Sequence, residues 1–222
     1  MISPCFLDCI QGSREWFEAR LGCVTASRIS SVIAKRKRVK AGEVPEEMAC
    51  RRDMRWELVS ELLSGKTTEN FVSEWMQQGT DREPLARAEY ELRNDCFVEQ
   101  VGFAYHPTIK LAGASPDGLI GDRGLLEIKC PRIETHLQYL DDGVIPEAYL
   151  PQMVWQLACV PDAEWNDFVS FHPDLPADYQ LFVKRLERTK EVNALIAGYE
   201  LEVEQFNKEV QEKLESIRVK VA

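Results

Sequence analysis

What this chain lacks narrows its reading first. Only three of its 222 residues are histidine, His106, His136 and His172, and they are scattered. Its seven cysteines, Cys5, Cys9, Cys23, Cys50, Cys96, Cys130 and Cys159, include no Cys-x-x-Cys pair. An odd, dispersed set of thiols argues against a disulfide framework or a zinc site. The cysteines therefore read as small apolar side chains or inert surface thiols, and the histidines as packing or surface residues. No apolar run approaches the roughly 20 residues that a membrane span needs. The opening "MISPCFLDCIQGS" has no basic stretch followed by a long apolar one, so no signal peptide is expected and the cytoplasm is the expected compartment. Repeats, low-complexity tracts and linker-like stretches are missing too, and residues 1–222 are expected to form a single domain.

Basic charge is also short. Lys and Arg number 27 against 37 Asp and Glu, for a net charge of −10. Taken alone, that disfavours a phosphate-rich partner, which needs basic surface. The distribution is uneven, however. Residues 35–40 read "KRKRVK", with Lys35, Arg36, Lys37 and Arg38 in a row, and "CRRDMR" follows at 50–55. Acidic residues concentrate near the end, in "YELEVEQFNKEVQEKLE". The pattern fits a basic face on an acidic protein, and it also fits a solvated charge run.

Periodicity predicts helices first. "SREWFEARLG" reads as a helix with Ser13 as N-cap and Gly22 as its stop. "TASRISSVIAKRK" reads as a second, capped by Thr25, with Ile29, Val32 and Ile33 inward. Residues 46–64 form a third, ended by Gly65, and residues 72–93 a fourth, which Pro84 should kink or restart. Short β-rich runs broken by Gly and Pro then take over from residue 96 to 130. Helices are expected at 133–141 and 149–160, strands in "EWNDFVSFHP" and "YQLFVKRLE", and a long helix at 189–217. The fold class is α/β or α+β, a central mixed β-sheet flanked by helices.

The chemistry concentrates in "GASPDGLIGDRGLLEIKCP", residues 113–131. Along a strand over 125–129, alternation places Leu125, Glu127 and Lys129 on one face and Leu126 and Ile128 on the other. A turn through Gly121 and Gly124 folds the chain back and brings Asp117 beside Glu127. Two converging carboxylates make a hard-oxygen site suited to Mg²⁺ or Mn²⁺, and the Ile128 carbonyl is a further candidate ligand. A lysine beside them suits attack on a phosphate, where it positions water and offsets developing charge. The same spacing also fits a surface hairpin with an ordinary Glu–Lys pair.

The motifs carry a resemblance. "SPDGL…GLLEIKCP" resembles the core motif of the phage lambda exonuclease and YqaJ-like recombinase nucleases, within the PD-(D/E)xK superfamily. "WFEARLGCVTAS" at 16–27, "GTDREPLARAEYE" at 79–91 and "YLPQMVWQL" at 149–157 resemble that family's other motifs, in the same order. The resemblance implies a restriction-endonuclease-like core and a magnesium-dependent exonuclease that digests one strand of linear duplex DNA from its 5′ end. By position it makes Asp117 and Glu127 metal ligands, Lys129 the residue serving the attacking water, Glu83 a further acid and Gln152 the motif glutamine. Arg20, Ser27 and Ser115 match positions suited to a 5′-phosphate. A homotrimeric ring and a single-strand annealing protein as partner are implied as well. Without the resemblance, Arg20 reads equally as a surface arginine, and Trp75 and Met76 as core residues or as an apolar wedge at a duplex end. A site-specific endonuclease on the same core, or a DNA-binding partner without activity, are the other readings.

Overall fold

The computed structural model describes residues 6–34, 47–67 and 74–221, with side chains described throughout except at 74–78 and 80. The basic run Lys35, Arg36, Lys37 and Arg38, and the side chains of Trp75 and Met76, lie outside the described residues.

Local signals explain the helices. In α1 (Arg14–Arg20) the Ser13 side chain accepts from the Trp16 N–H at 3.2 Å, the expected cap. α3 (Ala49–Ser64) ends where Gly65 turns left-handed, at φ 67°. α4 (Glu74–Asn94) runs through Pro84 as one helix. The expected second helix is much reduced. A 3₁₀ turn at Ala26–Arg28 leads into a short α2 (Ile29–Val32), and Thr25 makes no side-chain cap. Val24 and Thr25 are instead held in a strand, which delays helix entry.

The strands form two mixed sheets rather than one. The first has the order β1 (Phe6–Leu7), β4 (Phe103–Tyr105), β5 (Ala112–Ala114), β2 (Val24–Thr25). The second has the order β3 (Val98–Glu99), β6 (Gly118–Ile120), β7 (Gly124–Lys129), β8 (Trp165–Phe171), β9 (Leu181–Glu187). β7 and β8 are parallel, so the chain must cross over between them, and it does so through α5 (Ile133–Asp142) and α6 (Leu150–Cys159). The chain ends in α7 (Lys190–Val221), which packs on α3 and α6.

β7 separates two apolar clusters. Leu125 joins the larger one, with α3, α6 and α7, while Leu126 and Ile128 join a second beneath α4 with Val169 and Phe171. This is the alternation expected from the sequence. It sends the Glu127 side chain toward α6, away from the face covered by α4.

Candidate active site

The β6–β7 hairpin builds the site. Gly118 pairs with Leu126, and the Asp117 N–H donates to the Leu126 carbonyl at 2.9 Å. One residue beyond the ladder, the Asp117 carboxylate takes over the pairing: its Oδ2 accepts from the Ile128 N–H at 2.6 Å. Asp117 is thereby set beside Glu127, as the turn through Gly121 predicts.

Glu127 is only 1% exposed and is surrounded by donors. Gln152 Nε2, from α6, donates to Oε1 at 2.6 Å. Gln156, one turn further along α6, donates to Oε2, and the Lys129 ammonium pairs with Oε1. Asn166 on β8 backs this arrangement, donating to Gln156 Oε1 at 2.7 Å and to the Met153 carbonyl at 3.3 Å. That double donation sets the direction of the ladder, so Gln156 presents its NH₂ to the carboxylate. Lys129 Nζ also lies 5.3 Å from the centre of the Tyr149 ring.

Electrostatics join Glu83 to this group. Burial raises the Glu83 pKa, and Lys129 and Arg87 oppose the rise while Glu127 adds to it. Asp117 is pushed well above the carboxylate range by burial, then by Glu127 and Glu83, against Lys129 and the Ile128 N–H. For Lys129, burial works against the charge, but Glu127 and Asp117 outweigh it and its pKa is raised. Burial and the neighbouring carboxylates thus act in the same direction on Glu83 and Asp117. The oxygen-rich donor set fits a hard divalent cation, for which Asp117 and Glu127 are the first candidates. Among the described residues no three His, Cys, Asp or Glu side chains stand ready as a ligand group. Among the described residues, Glu127 Oε1 accepts from both Gln152 and Lys129, whereas Oε2 accepts from Gln156 alone, which leaves Oε2 a lone pair for an ion with Lys129 still in place.

The candidate phosphate residues come partly together. The Arg20 guanidinium lies 4.0 Å over the Trp16 ring, and its Nη1 donates to Ser115 Oγ at 3.4 Å. Trp16 Nε1 donates to the same hydroxyl at 2.8 Å. Ser115 thus links α1 to the loop two residues before Asp117. Ser27 is exposed on the 3₁₀ turn, its Oγ 3.1 Å from Thr25 Oγ1. The second basic stretch is otherwise engaged: Arg51 and Arg55 pair with Glu47 and Glu209, and Arg52 with Asp53.

Sequence reasoning missed Gln156, Asn166 and Trp16 as parts of the site. Gln156 had a signal, a second glutamine four residues after Gln152 on an otherwise apolar helix. Asn166 had none, because only the β7–β8 pairing brings it near.

Comparisons with known proteins agree with this architecture. An alkaline exonuclease from Laribacter hongkongensis matches at 41% identity with a TM-score of 0.83, over 94% of this chain and 98% of that one. The same protein, LHK-Exo, in complex with dAMP gives a TM-score of 0.84 at the same identity and coverage. A phage-related exonuclease from Haemophilus somnus 129PT shares the fold at 14% identity, with a TM-score of 0.62 over 86% of this chain and 96% of that one. A search of the curated proteins gives no significant match. No helix among the described residues is long and apolar enough to cross a membrane. The profile of the YqaJ-like viral recombinase domain matches residues 15–164, which carry nearly all of α1, strands β2 to β7 with the Asp117 hairpin, and α6, and the chain belongs to that family.

Proposed function

We propose that this chain, as a single nuclease domain, is a magnesium-dependent exonuclease, with manganese as a substitute. It digests one strand of linear duplex DNA from the 5′ end to 5′-mononucleotides and leaves a 3′ single strand for annealing. The observation that carries the reading is the convergence of Asp117, Glu127, Lys129 and Glu83 at one hairpin, with Gln152 over Glu127. Family membership and the likeness to an alkaline exonuclease support the same chemistry.

Each side chain has a role in this reading. Asp117 and Glu127, with the Ile128 carbonyl, hold the cation. When bound, a divalent ion polarises the scissile phosphate and makes hydroxide available near neutral pH. Lys129, charged and held at Glu127, orients the attacking water and offsets charge on the phosphate oxygens in the transition state. Gln152 and Gln156 keep the Glu127 carboxylate from rotating. Glu83 supplies a further acid beside the attacked phosphate. Arg20, Ser115 and Ser27 receive the terminal 5′-phosphate, where a guanidinium offers a charge-assisted fork. Lys35, Arg36, Lys37 and Arg38 track the duplex backbone. A homotrimeric ring and an annealing protein taking up the 3′ strand complete the reading, which places the enzyme in the cytoplasm beside its DNA.

Digestion of linear duplex labelled at either end, with closed circular DNA as control, tests it. Magnesium-dependent release of label from the 5′ end, with circles intact, is the expected result. Cut circles would establish the endonuclease reading, and no hydrolysis in magnesium or manganese would establish an inactive binding partner.

A further inference from the structure

The phosphate candidates Arg20 and Ser27 flank a segment that is seated on α3 by one buried side chain. Glu61 is fully buried and reaches both ends of that segment. Its Oε2 accepts from the Gly22 N–H at 2.9 Å. Its two oxygens also take the Arg28 guanidinium, Nη2 to Oε1 at 2.7 Å and Nη1 to Oε2 at 3.2 Å. Arg28 is itself 7% exposed, so this is a bidentate pair out of water. The next residue of α3 completes the seat: Gly22 has φ +68°, and a Cβ there would lie 2.5 Å from Leu62 Cδ2. A side chain there would be strained by the left-handed backbone and would have to push Leu62 aside.

The geometry has a consequence for the site. Arg20 stands two residues before the clamped Gly22, and Ser27 immediately before the clamped Arg28. Between them Val24 and Thr25 pair in parallel with Ala112 and Gly113, and β5 continues directly to Ser115. Arg20 and Ser27 therefore ride on a segment held by β5 on one side and by Glu61 on the other, while Ser115 continues from β5 itself. A buried ion pair adds little stability over an apolar pair of equal volume, so its geometry is the more telling property.

We propose that the Arg28–Glu61 pair is the positioning element of the 5′-phosphate pocket, and so determines how strongly the enzyme prefers phosphorylated duplex ends. This rests on the assignment of that pocket to Arg20, Ser27 and Ser115. Neither residue needs to touch DNA. Glu61 holds the turn that aims Arg20 and the 3₁₀ turn that carries Ser27, while Arg28 neutralises its charge. A displacement of this segment by about 1 Å is enough to lose a well-aimed phosphate contact.

The test compares initial rates on matched linear duplexes with 5′-phosphate or 5′-hydroxyl ends, for the wild type and two variants. Glu61→Gln keeps an acceptor for Gly22 but breaks the charge pair. Arg28→Met combined with Glu61→Leu leaves no buried charge unpaired and guards against a failure to fold. The wild type should degrade phosphorylated ends about 10- to 150-fold faster, the value of one charge-assisted hydrogen bond. In the folded variants, checked by circular dichroism, that ratio should collapse to within about threefold of unity. A merely structural role would lower both rates together and preserve the ratio, and a preserved ratio in either folded variant overturns the positioning role alone. Equal wild-type rates on both ends would overturn the pocket and the positioning role with it.

Discussion

Two clusters of charge in this molecule look alike in sequence and differ in balance. Between α3 and α7, Arg51 and Arg55 meet Glu47 and Glu209, two cations against two carboxylates. Arg51 also lies 4.8 Å from the Phe206 ring centre. Every charge there has a partner, and the cluster ties two helices together. At the β6–β7 hairpin, three carboxylates, Glu83, Asp117 and Glu127, face Lys129 and Arg87. Burial first, and then the neighbouring carboxylates, raise the Glu83 and Asp117 pKa values, so ionised carboxylates there are short of compensating positive charge. Structural charge clusters close their own account. A cluster held open, under burial, is poised for something that arrives from outside, which in the proposed function is a cation and a phosphodiester.

Substitutions can break this contrast, beginning with the open cluster. Lys129→Ala and Asp117→Ala should each reduce magnesium-dependent hydrolysis of linear duplex by at least about 100-fold, measured as initial rate. Full activity in Lys129→Ala would remove that lysine from the reaction. Gln156→Leu should act one step back, by freeing the Glu127 carboxylate to rotate. Loss of a hydrogen bond behind a metal ligand typically costs about 10- to 100-fold in affinity. Manganese binding followed by electron paramagnetic resonance reads that loss, and unaltered binding would reduce Gln156 to a packing residue.

How much of this was legible in the sequence depends on distance along the chain. The hairpin was readable because Asp117, the Gly121 turn and Glu127 lie within one short segment, and the alternation of β7 follows from its period of two. The division into two sheets was not. β1 and β2 are two residues each, and Val24 meets Ala112 only through tertiary pairing. The sequence left "CRRDMR" open between a basic face and a solvated charge run, because Glu209, which neutralises Arg55, is 154 residues away. Glu83 lies 34 residues before Asp117, and its place beside the site rested on the family resemblance until α4 was seen packed under β7.

Stability gives the contrast a smaller, opposite pair of signs. The Asp117 pKa is raised in the folded chain, so its protonated carboxyl favours folding below the unfolded value near 3.9, and that stability is lost as pH rises through the folded value and the carboxylate forms. Asp117→Asn keeps an acceptor for the Ile128 N–H and removes that loss. It should stabilise the metal-free protein by about 1 kcal/mol at neutral pH, a few degrees in Tm, with the gain vanishing in acid. A lower Tm at neutral pH would show that the carboxylates are not in conflict. Arg55→Ala in the balanced cluster should do the reverse, lowering stability by about 1 kcal/mol or less, in a salt-dependent way, with hydrolysis unchanged. A loss of hydrolysis in folded Arg55→Ala would mean that this cluster is not purely structural.

The most direct measurement is calorimetric titration of magnesium into the wild type and Asp117→Asn in the absence of DNA. The account predicts saturable binding to the wild type that Asp117→Asn abolishes while remaining folded. Equal binding by both proteins, or none by a folded wild type with either magnesium or manganese, would contradict the claim that the unbalanced carboxylates at this hairpin hold the catalytic cation.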